Sequence, residues 1–266
     1  PLTQVTHFMN GSEFISAKTG EKFSRQVIEN NINEIRKKIA EEAEKVNRDP
    51  AKIKLLAATK TVDADTINFA ISKGIRLIGE NRVQELLEKY DKIDKSNVDI
   101  HFIGRLQTNK VKYIIDKVSL IHSVDSIRLA EEIDKQAKKH DLVMDVLLEV
   151  NVAGEQSKGG AAFDEVYGLL EQIAKFTNVR VKGLMTIPPK CNNLVTEKNG
   201  GSSSEKVYKN SEFFDKILNL FLDISSKKLD NICMYELSAG MSDDYITAVR
   251  YGATILRLGR AIFGDR

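Results

Sequence analysis

Short apolar runs alternate with amphipathic stretches along most of the chain. Eight of these runs have the length and the β-branched content of buried strands. They lie at residues 53–60, 76–81, 99–104, 120–125, 145–151, 179–187, 232–239 and 255–262. Segments with helical periodicity fall between them, at residues 64–73, 82–90, 109–116, 126–139, 163–175, 211–227 and 243–251. Strands that alternate with helices in this way predict parallel βα units.

Eight parallel strands are the number that closes a (β/α)8 TIM barrel, and the 266 residues match the roughly 250 typical of that fold. A doubly wound open sheet is the alternative that this pattern leaves open. Residues 23–46 precede the first strand and carry Ile28, Ile32, Ile35 and Ile39 at steps of three and four. This spacing predicts an extra N-terminal helix, which we expect to replace the helix otherwise found after the eighth strand.

Two segments depart from the regular pattern. Residues 1–20 are predicted to form a flexible extension, which leaves residues 21–266 as the barrel. Residues 190–210 are rich in Gly, Ser and Asn and lack periodicity, so we expect a flexible insertion after the sixth strand. A tolerated surface insertion is favoured here over a functional lid.

Composition narrows the functional class. Hydrophobic residues make up 42% and charged residues 29% of the chain, as in ordinary globular proteins. The formal net charge of +2 does not favour a nucleic-acid partner. We find no apolar run long enough to span a membrane, and the polar first twenty residues do not predict a secretory leader. Cys191 and Cys233 have no CxxC spacing, which argues against a disulfide framework or a zinc site and favours a cytoplasmic location.

The first predicted strand, around which the candidate chemistry is arranged, ends in a lysine. Its run from Leu55 to Ala58 is continuously apolar, and Lys60 follows at the carboxyl end. Ligands of α/β proteins bind at the carboxyl ends of the strands. A lysine held there against apolar walls loses hydration, which favours the neutral amine that attacks an aldehyde. A solvated lysine at the rim is the alternative.

Two glycine-containing turns occur where barrels of this kind bind phosphate. The seventh strand runs into Gly240, Met241 and Ser242, and the eighth runs into Gly259. Small residues before a helix leave backbone N–H groups free for an anion. Arg257 shares a strand face with Gly259, so it is expected to point into the barrel mouth. There it would pair with an acid or with a ring nitrogen of a cofactor.

Three further candidate residues lie on the second, third and fourth predicted strands. Asn81 ends the second strand and places an amide at the same rim. His101 and His122 lie on separate strands without a metal-ligand spacing, so we expect hydrogen-bonded core histidines and no metal site.

The chain resembles a known family, the pyridoxal 5′-phosphate (PLP) homeostasis proteins, whose single domain is similar to the barrel of alanine racemase. The resemblance extends from about Phe23 to Gly264. The matching motifs are Thr59-Lys60, Gly79-Glu80-Asn81 with Val83-Gln84-Glu85, His101-Phe102-Ile103-Gly104 with Leu106-Gln107 and Asn109-Lys110, His122-Ser123-Val124-Asp125, Glu155 with Ser157-Lys158, Gly183-Leu184-Met185, Leu237-Ser238 with Gly240-Met241-Ser242, and Arg257 with Gly259 and Ile262-Phe263-Gly264.

The resemblance implies a role for each candidate residue. Lys60 would form the Schiff base with PLP, Asn81 would lie beside the cofactor ring, and Arg257 would face the pyridine nitrogen. The phosphate would be held by Ser238, Met241 and Ser242, with backbone groups near Gly259 and Arg260. A cation at the ring nitrogen disfavours its protonation, which makes the ring a weaker electron sink.

The implied function is PLP homeostasis, by buffering PLP or delivering it to PLP-dependent apoenzymes, without robust catalysis and as a monomer. An amino-acid racemase is the rival, although alanine racemase also uses a tyrosine from a second domain that this sequence does not supply. A barrel that binds another phosphorylated metabolite non-covalently is a third possibility. Two departures from the family pattern bear on the site: Arg260 stands where Thr or Ser is common, and the 190–210 insertion is long.

Overall fold

The computed structural model describes residues 13–15, 22–155, 159–189, 194–197, 205–208, 210–227 and 229–264. Eight strands within these ranges form a closed parallel barrel. They are β1 (Lys54–Ala58), β2 (Leu77–Glu80), β3 (Asp99–Phe102), β4 (Leu120–Val124), β5 (Met144–Asn151), β6 (Val179–Met185), β7 (Ile232–Ser238) and β8 (Ile255–Leu258). Each strand pairs with its neighbour in the chain, and β8 pairs with β1. The TIM barrel predicted from the sequence is therefore confirmed, and the open sheet is wrong.

Helices cover the outside of the barrel. They are α1 (Arg25–Lys45), α2 (Ala64–Ser72), α3 (Val83–Tyr90), α4 (Ile127–Lys139), α5 (Val166–Ile173), α6 (Ser211–Ser226), α7 (Tyr245–Arg250) and α8 (Arg260–Phe263). The helix predicted at residues 109–116 is instead a 3₁₀ helix, Thr108–Tyr113. Val111 and Ile114 are both fully buried. A spacing of three residues fits a 3₁₀ helix as well as an α-helix, so the sequence pattern does not separate the two types.

The extra N-terminal helix packs where the sequence predicts it. Ile28, Ile32, Ile35 and Ile39 are all buried along one face of α1, which lies against α7 and α8. The side chain of Asn31 donates a hydrogen bond to the carbonyl oxygen of Ile262 in α8 at 3.0 Å. Helix α8 has only four residues, so α1 covers the part of the barrel wall that a full-length eighth helix would cover.

Apolar side chains make up much of the barrel interior. Alternate residues of a strand point to opposite faces, so each strand contributes to the interior and to the layer under the helices. The interior cluster consists of Leu56, Leu77, Ile103, Leu120, Leu147, Met185 and Ile255, with Ala58 packed against it. Polar side chains lie among and above these residues, with His101 and His122 inside the barrel and Ser238 and Arg257 nearer the carboxyl ends of the strands.

The segments expected to be flexible lie mostly outside the described residues. Within residues 1–20 only Glu13–Ile15 is described, and it pairs antiparallel with Lys22–Ser24. Within residues 190–210, Leu194–Glu197 and Glu205–Tyr208 pair antiparallel. Flexibility of either segment stays a prediction. Among the described residues, no helix is both long and apolar enough to cross a bilayer.

One glycine is required by a close approach between two strands. Gly183 on β6 has a φ of 152°, and a Cβ at this position would lie 1.7 Å from the carbonyl oxygen of Glu236 on β7. A side chain here would force the two strands apart.

We therefore expect Gly183→Ala to lower the free energy of unfolding by at least about 2 kcal/mol, because the β6–β7 pairing must distort. Urea denaturation of the full chain measures this. Gly168→Ala in α5 is the matched control. Open space surrounds that position, so the change is expected to be neutral or stabilising by up to about 1 kcal/mol. Equal transition midpoints for the two variants would contradict the expectation.

Candidate functional site

Three adjacent strands bring the principal candidate residues to one rim of the barrel. Arg257 on β8 lies opposite Leu56 on β1, and Gly79 on β2 lies opposite Ala58. Lys60 follows Ala58 by two residues, as Asn81 follows Gly79, so both continue the inward-facing register of their strands. The candidate amine, amide and guanidinium therefore belong to the same end of neighbouring strands.

Lys60 itself lies beyond the end of β1 and is exposed. Apolar walls do not enclose it, so of the two alternatives the structure has the solvated lysine at the rim. The reason is that the interior apolar cluster ends at Ala58, two residues before Lys60. The amine therefore stands at the mouth of the barrel, where a ligand has access to it.

The backbone on both sides of Lys60 is held by hydrogen bonds. Thr61 has a φ of 61°, in the left-handed region that a β-branched residue rarely occupies. Its N–H donates to Oε2 of Glu85 at 2.9 Å. On the other side, the carbonyl oxygen of Thr59 accepts from Nζ of Lys89 at 2.9 Å, and the Thr59 hydroxyl donates to Oε1 of Glu80 at 2.5 Å. These bonds stabilise the strained conformation in which Lys60 is presented.

Lys89 is the centre of this network. Its Nζ lies 3.0 Å from Oε1 of Glu80 and 3.6 Å from Oε2 of Glu85. Glu80 is fully buried, and its Oε2 finds no hydrogen-bond partner among the described residues. Burial raises the pKa of Glu80, although the charge of Lys89 opposes the rise. The sequence motif contained both glutamates but gave no sign of the lysine that joins them.

Arg257 is buried inside the barrel without an ion-pair partner among the described residues. Its Nη1 donates to Oγ of Ser238 at 2.6 Å, and its Nη2 donates to the carbonyl oxygen of Thr186 at 2.9 Å. Burial lowers the pKa of Arg257 to about 10, while Asp244 and Glu149 act in the opposite direction. The side chain therefore remains a cation near neutral pH, held by neutral acceptors.

Ser238 and the two histidines form one buried hydrogen-bonded group. Oγ of Ser238 lies 3.0 Å from Nδ1 of His122, and Nε2 of His122 lies 2.9 Å from Nδ1 of His101. Core histidines with hydrogen bonds were expected, and this is what the structure contains. The Ser238 hydroxyl is therefore engaged by Arg257 and His122 within the barrel. The phosphate role of Ser238 stays a prediction.

The two glycine-containing turns are tied to each other. The N–H of Arg257 donates to the carbonyl oxygen of Gly240 at 3.0 Å, and the N–H of Ala261 donates to Oγ of Ser242 at 3.2 Å. Gly240 has a φ of 89°, which a residue with a Cβ rarely adopts. Oδ1 of Asp244 accepts from the N–H of Met241 at 2.7 Å, so this N–H is not free for an anion.

Arg260 points toward an acid. Its Nη2 lies 2.8 Å and 2.7 Å from the two carboxylate oxygens of Asp243, and both side chains are exposed. This pair connects the turn after β7 with the start of α8. Contact between Arg260 and a phosphate stays a prediction that the described geometry does not test.

Asn81 is fixed by its neighbour across the β2–β3 rim. A Cβ on Gly104 would lie 2.1 Å from the backbone oxygen of Asn81, so only glycine allows this approach. Asn81 is half-buried at the edge of the mouth. The Gly104 in the sequence motif is thus explained by the packing of Asn81.

Glu149 belongs to the site and was missed in the sequence. It lies near the end of β5, within reach of the charges of Asp125, Arg105 and Arg257. Burial, followed by the negative charge of Asp125, raises the pKa of Glu149 to about 7. The available signal was an acidic residue two positions after the inward-facing Leu147, and therefore on the same face of the strand. No cluster of metal-ligating side chains occurs among the described residues.

We expect Lys89→Met to lower the free energy of unfolding by about 3 kcal/mol, because it leaves the buried Glu80 without its charged partner. Chemical denaturation measures the loss. Lys135→Met is the matched control, since Lys135 is exposed and lies 3.7 Å from Glu132. Its effect is expected to stay within about 0.5 kcal/mol. An equally small effect at Lys89 would show that the network does not hold the Lys60 segment.

The raised pKa of Glu149 predicts a pH dependence of stability. Between its ordinary value of 4.5 and about 7, the unfolded chain releases this proton first. The free energy of unfolding should therefore fall as the pH rises through this window, by up to about 3 kcal/mol. Denaturation at a series of pH values should show that Glu149→Gln makes the fall smaller. Glu171→Gln, an exposed change on α5, should leave it in place. An unchanged profile for Glu149→Gln would exclude this residue as the source.

Comparison with known proteins agrees with this arrangement. The model of the family "Alanine racemase, N-terminal domain" matches residues 24–266. The pyridoxal phosphate homeostasis protein of Aquifex aeolicus (strain VF5) is 41% identical over 235 residues, which cover 88% of this chain and 96% of that protein.

Solved structures give the same result. The structure of PipY from Synechococcus elongatus PCC7942 with PLP bound is 28% identical, with a TM-score of 0.73 over 89% of this chain and 100% of that one. An alanine racemase of Clostridium difficile 630 shares the fold at 15% identity, with a TM-score of 0.63 over 91% of this chain and 57% of that one. The chain therefore belongs to the alanine racemase N-terminal domain family and, within it, to the pyridoxal phosphate homeostasis proteins.

Proposed function

We propose that this protein binds PLP as a Schiff base on Lys60 and takes part in intracellular PLP homeostasis, by buffering or delivery, without robust catalysis. The observation that carries the proposal is the 41% identity to a pyridoxal phosphate homeostasis protein over 96% of its length. The local geometry supports it, because an accessible amine and a buried cation lie at the same end of two paired strands.

The groups at the barrel mouth suit the three functional parts of PLP. PLP supplies an aldehyde, a phosphate and a pyridine ring that can stabilise a carbanion. Lys60 offers a primary amine for the aldehyde, at an exposed position. Arg257 offers a positive charge below it, and Asn81 offers an amide at the neighbouring strand end.

The tied turns after β7 and β8 are the proposed phosphate site. Oγ of Ser242 accepts a hydrogen bond from Ala261. Its own proton has no acceptor among the described residues, so this hydroxyl can donate to an anion. The backbone near Gly259 and Arg260 is the other proposed source of donors. Met241 would contribute by shaping the turn, since its N–H is bonded to Asp244.

Arg257 supports binding over catalysis. An arginine stays protonated and offers only hydrogen-bond donors, so it cannot supply a proton to a ring nitrogen without losing a strongly held charge. A ring nitrogen beside it therefore remains unprotonated, which weakens stabilisation of a carbanion at the ligand. This is the physical reason for proposing a protein that holds PLP and does not turn over amino acids.

Lys60→Ala is expected to abolish the visible absorbance band of the PLP imine and to weaken PLP binding at least about tenfold, since the covalent link is lost. Titration of the full chain with PLP measures both. Lys54→Ala, at the opposite end of the same strand, is the matched control and should keep the band. If Lys60→Ala binds PLP as tightly as the unmutated protein, binding is non-covalent and the lysine assignment fails.

A racemase would be revealed by proton exchange. The PLP-loaded protein, incubated with common amino acids in heavy water, is expected to exchange their α-protons no faster than free PLP does. Exchange at enzyme-like rates would overturn the homeostasis proposal in favour of amino-acid racemisation. Transfer of the bound PLP to a PLP-dependent apoenzyme would distinguish delivery from buffering.

The proposed setting is the cytoplasm, with the protein acting as a monomer and with PLP-dependent apoenzymes as its recipients. The two cysteines without paired spacing and the near-balanced charge support this setting. Sedimentation of the purified chain tests the monomer directly.

A further inference from the structure

A continuous chain of side chains crosses the barrel interior. It begins at Arg257 on β8, passes through Ser238 on β7 and His122 on β4, and ends at His101 on β3. The successive heavy-atom distances are 2.6, 3.0 and 2.9 Å. Ser238 and His122 are fully buried, and Arg257 and His101 nearly so. Because all four side chains are buried, water has little access to the hydrogen bonds between them.

The direction of each hydrogen bond follows from the arginine. A guanidinium has donors only, so Ser238 accepts from Arg257. The hydroxyl proton of Ser238 is buried, and His122 Nδ1 is the one remaining described atom that can accept it. Were Nδ1 protonated, two donors would face Ser238 and its own proton would have no acceptor, which is costly in a buried site. Nδ1 of His122 is therefore the unprotonated nitrogen.

The protonated nitrogen of His101 follows from that of His122. Burial, followed by the repulsion that a charged His101 would exert and by the charge of Arg257, holds the pKa of His122 well below its ordinary value. Burial also lowers the pKa of His101 to about 3, with a contribution from Lys54. Both rings are neutral near pH 7, so His122 carries its proton on Nε2 and donates to Nδ1 of His101. His101 then carries its proton on Nε2.

The far end of the chain opens on a cavity. His101 lines a cavity of about 940 Å³ at the amino-terminal end of the barrel, together with Lys54, Asp99, Asp145 and Glu236. Nε2 of His101 has no partner among the described residues, so its N–H is available to solvent in this cavity. Every bond in the chain thus points from the guanidinium toward the amino-terminal end of the barrel.

This arrangement holds Arg257 in place while leaving its charge uncancelled. A carboxylate in the place of Ser238 would fix the guanidinium equally well but would form an ion pair and offset the charge. Asp244 and Glu149 act on Arg257 through space, without a hydrogen bond to it among the described contacts. Neutral partners keep the positive charge directed to the carboxyl ends of the strands.

We propose that His122, with His101 behind it, is a positioning residue for Arg257: the two neutral rings, both protonated on Nε2, orient the Ser238 hydroxyl so that it accepts from the guanidinium and holds the cation toward the cofactor ring. The proposal rests on the PLP-binding function proposed above. It assigns to two histidines of the sequence motif a role that does not involve contact with the cofactor.

The test has a part that needs no cofactor and no mutation. Long-range ¹H–¹⁵N correlation spectra of the histidine-labelled full chain report the protonated ring nitrogen of each histidine. We expect His122 and His101 to be neutral Nε2–H tautomers, unchanged between about pH 6 and pH 8 because both are buried. Protonation of Nδ1 in either ring, or a charged ring, would overturn the proposal.

Variants test the effect on the site. His122→Asn retains an acceptor where Nδ1 lies, whereas His122→Leu retains none. We expect His122→Leu to weaken PLP binding about tenfold and to shift the pH profile of the imine absorbance, because the buried Ser238 hydroxyl loses its acceptor and is no longer oriented to accept from Arg257. His122→Asn should bind within about threefold of the unmutated protein, and the exposed His140→Leu should be unchanged.

The possible failures can be told apart. Unchanged PLP binding and an unchanged imine profile in His122→Leu would overturn the positioning role while leaving Lys60 as the binding lysine. If the unmutated protein shows no imine band with PLP, the PLP-binding function is overturned. The measured tautomers of the two histidines would still stand. Should His122→Leu fail to fold, the tautomer measurement on the unmutated chain still decides the proposal.

Discussion

The buried charge of Arg257 is the constraint on which the interior of this barrel depends. An isolated charge in an apolar core is very costly, so its hydrogen-bond partners must be present. Here they are a serine hydroxyl and a backbone carbonyl, with two neutral histidines behind the serine. The polar part of the interior is therefore organised to keep a cation in place rather than to neutralise it.

The lysine side of the site is built in the opposite way. Around Lys60 the charges are closely paired, with Lys89 between Glu80 and Glu85, and the pairing supports a strained backbone at Thr61. Charge pairing rigidifies this segment, while Lys60 stays accessible at the mouth. One strand end thus provides a fixed, reachable amine, and the neighbouring strand provides a fixed, uncancelled cation. Together they suit a ligand that joins an aldehyde to a basic ring.

Much of the fold could be predicted from the sequence, since each strand is a short buried run whose partner is its neighbour in the chain. The N-terminal helix followed from the spacing of its four isoleucines. The segment at Thr108–Tyr113 could not be assigned its helix type, because one short turn gives the same apolar spacing for both types. The exposure of Lys60 was left open as one of two alternatives, since the sequence does not tell where the apolar interior ends.

Site chemistry was less predictable where it depends on partners distant in the chain. His122 and Ser238 are 116 residues apart, and Arg257 bonds a carbonyl 71 residues away. Glu149 takes its raised pKa from burial and from Asp125 on another strand. Such contacts exist only once the barrel has closed, so no local pattern reports them. The family motifs identify these residues but do not tell which of them bond to each other.

The most direct test of the central claim is to trap the lysine chemically. The full chain is mixed with PLP, the imine is reduced with borohydride, and the digested protein is searched for the pyridoxyl adduct by mass spectrometry. We expect an adduct concentrated on the peptide that contains Lys60. Adducts spread over surface lysines, in the same pattern for the unmutated chain and for Lys60→Ala, would contradict it.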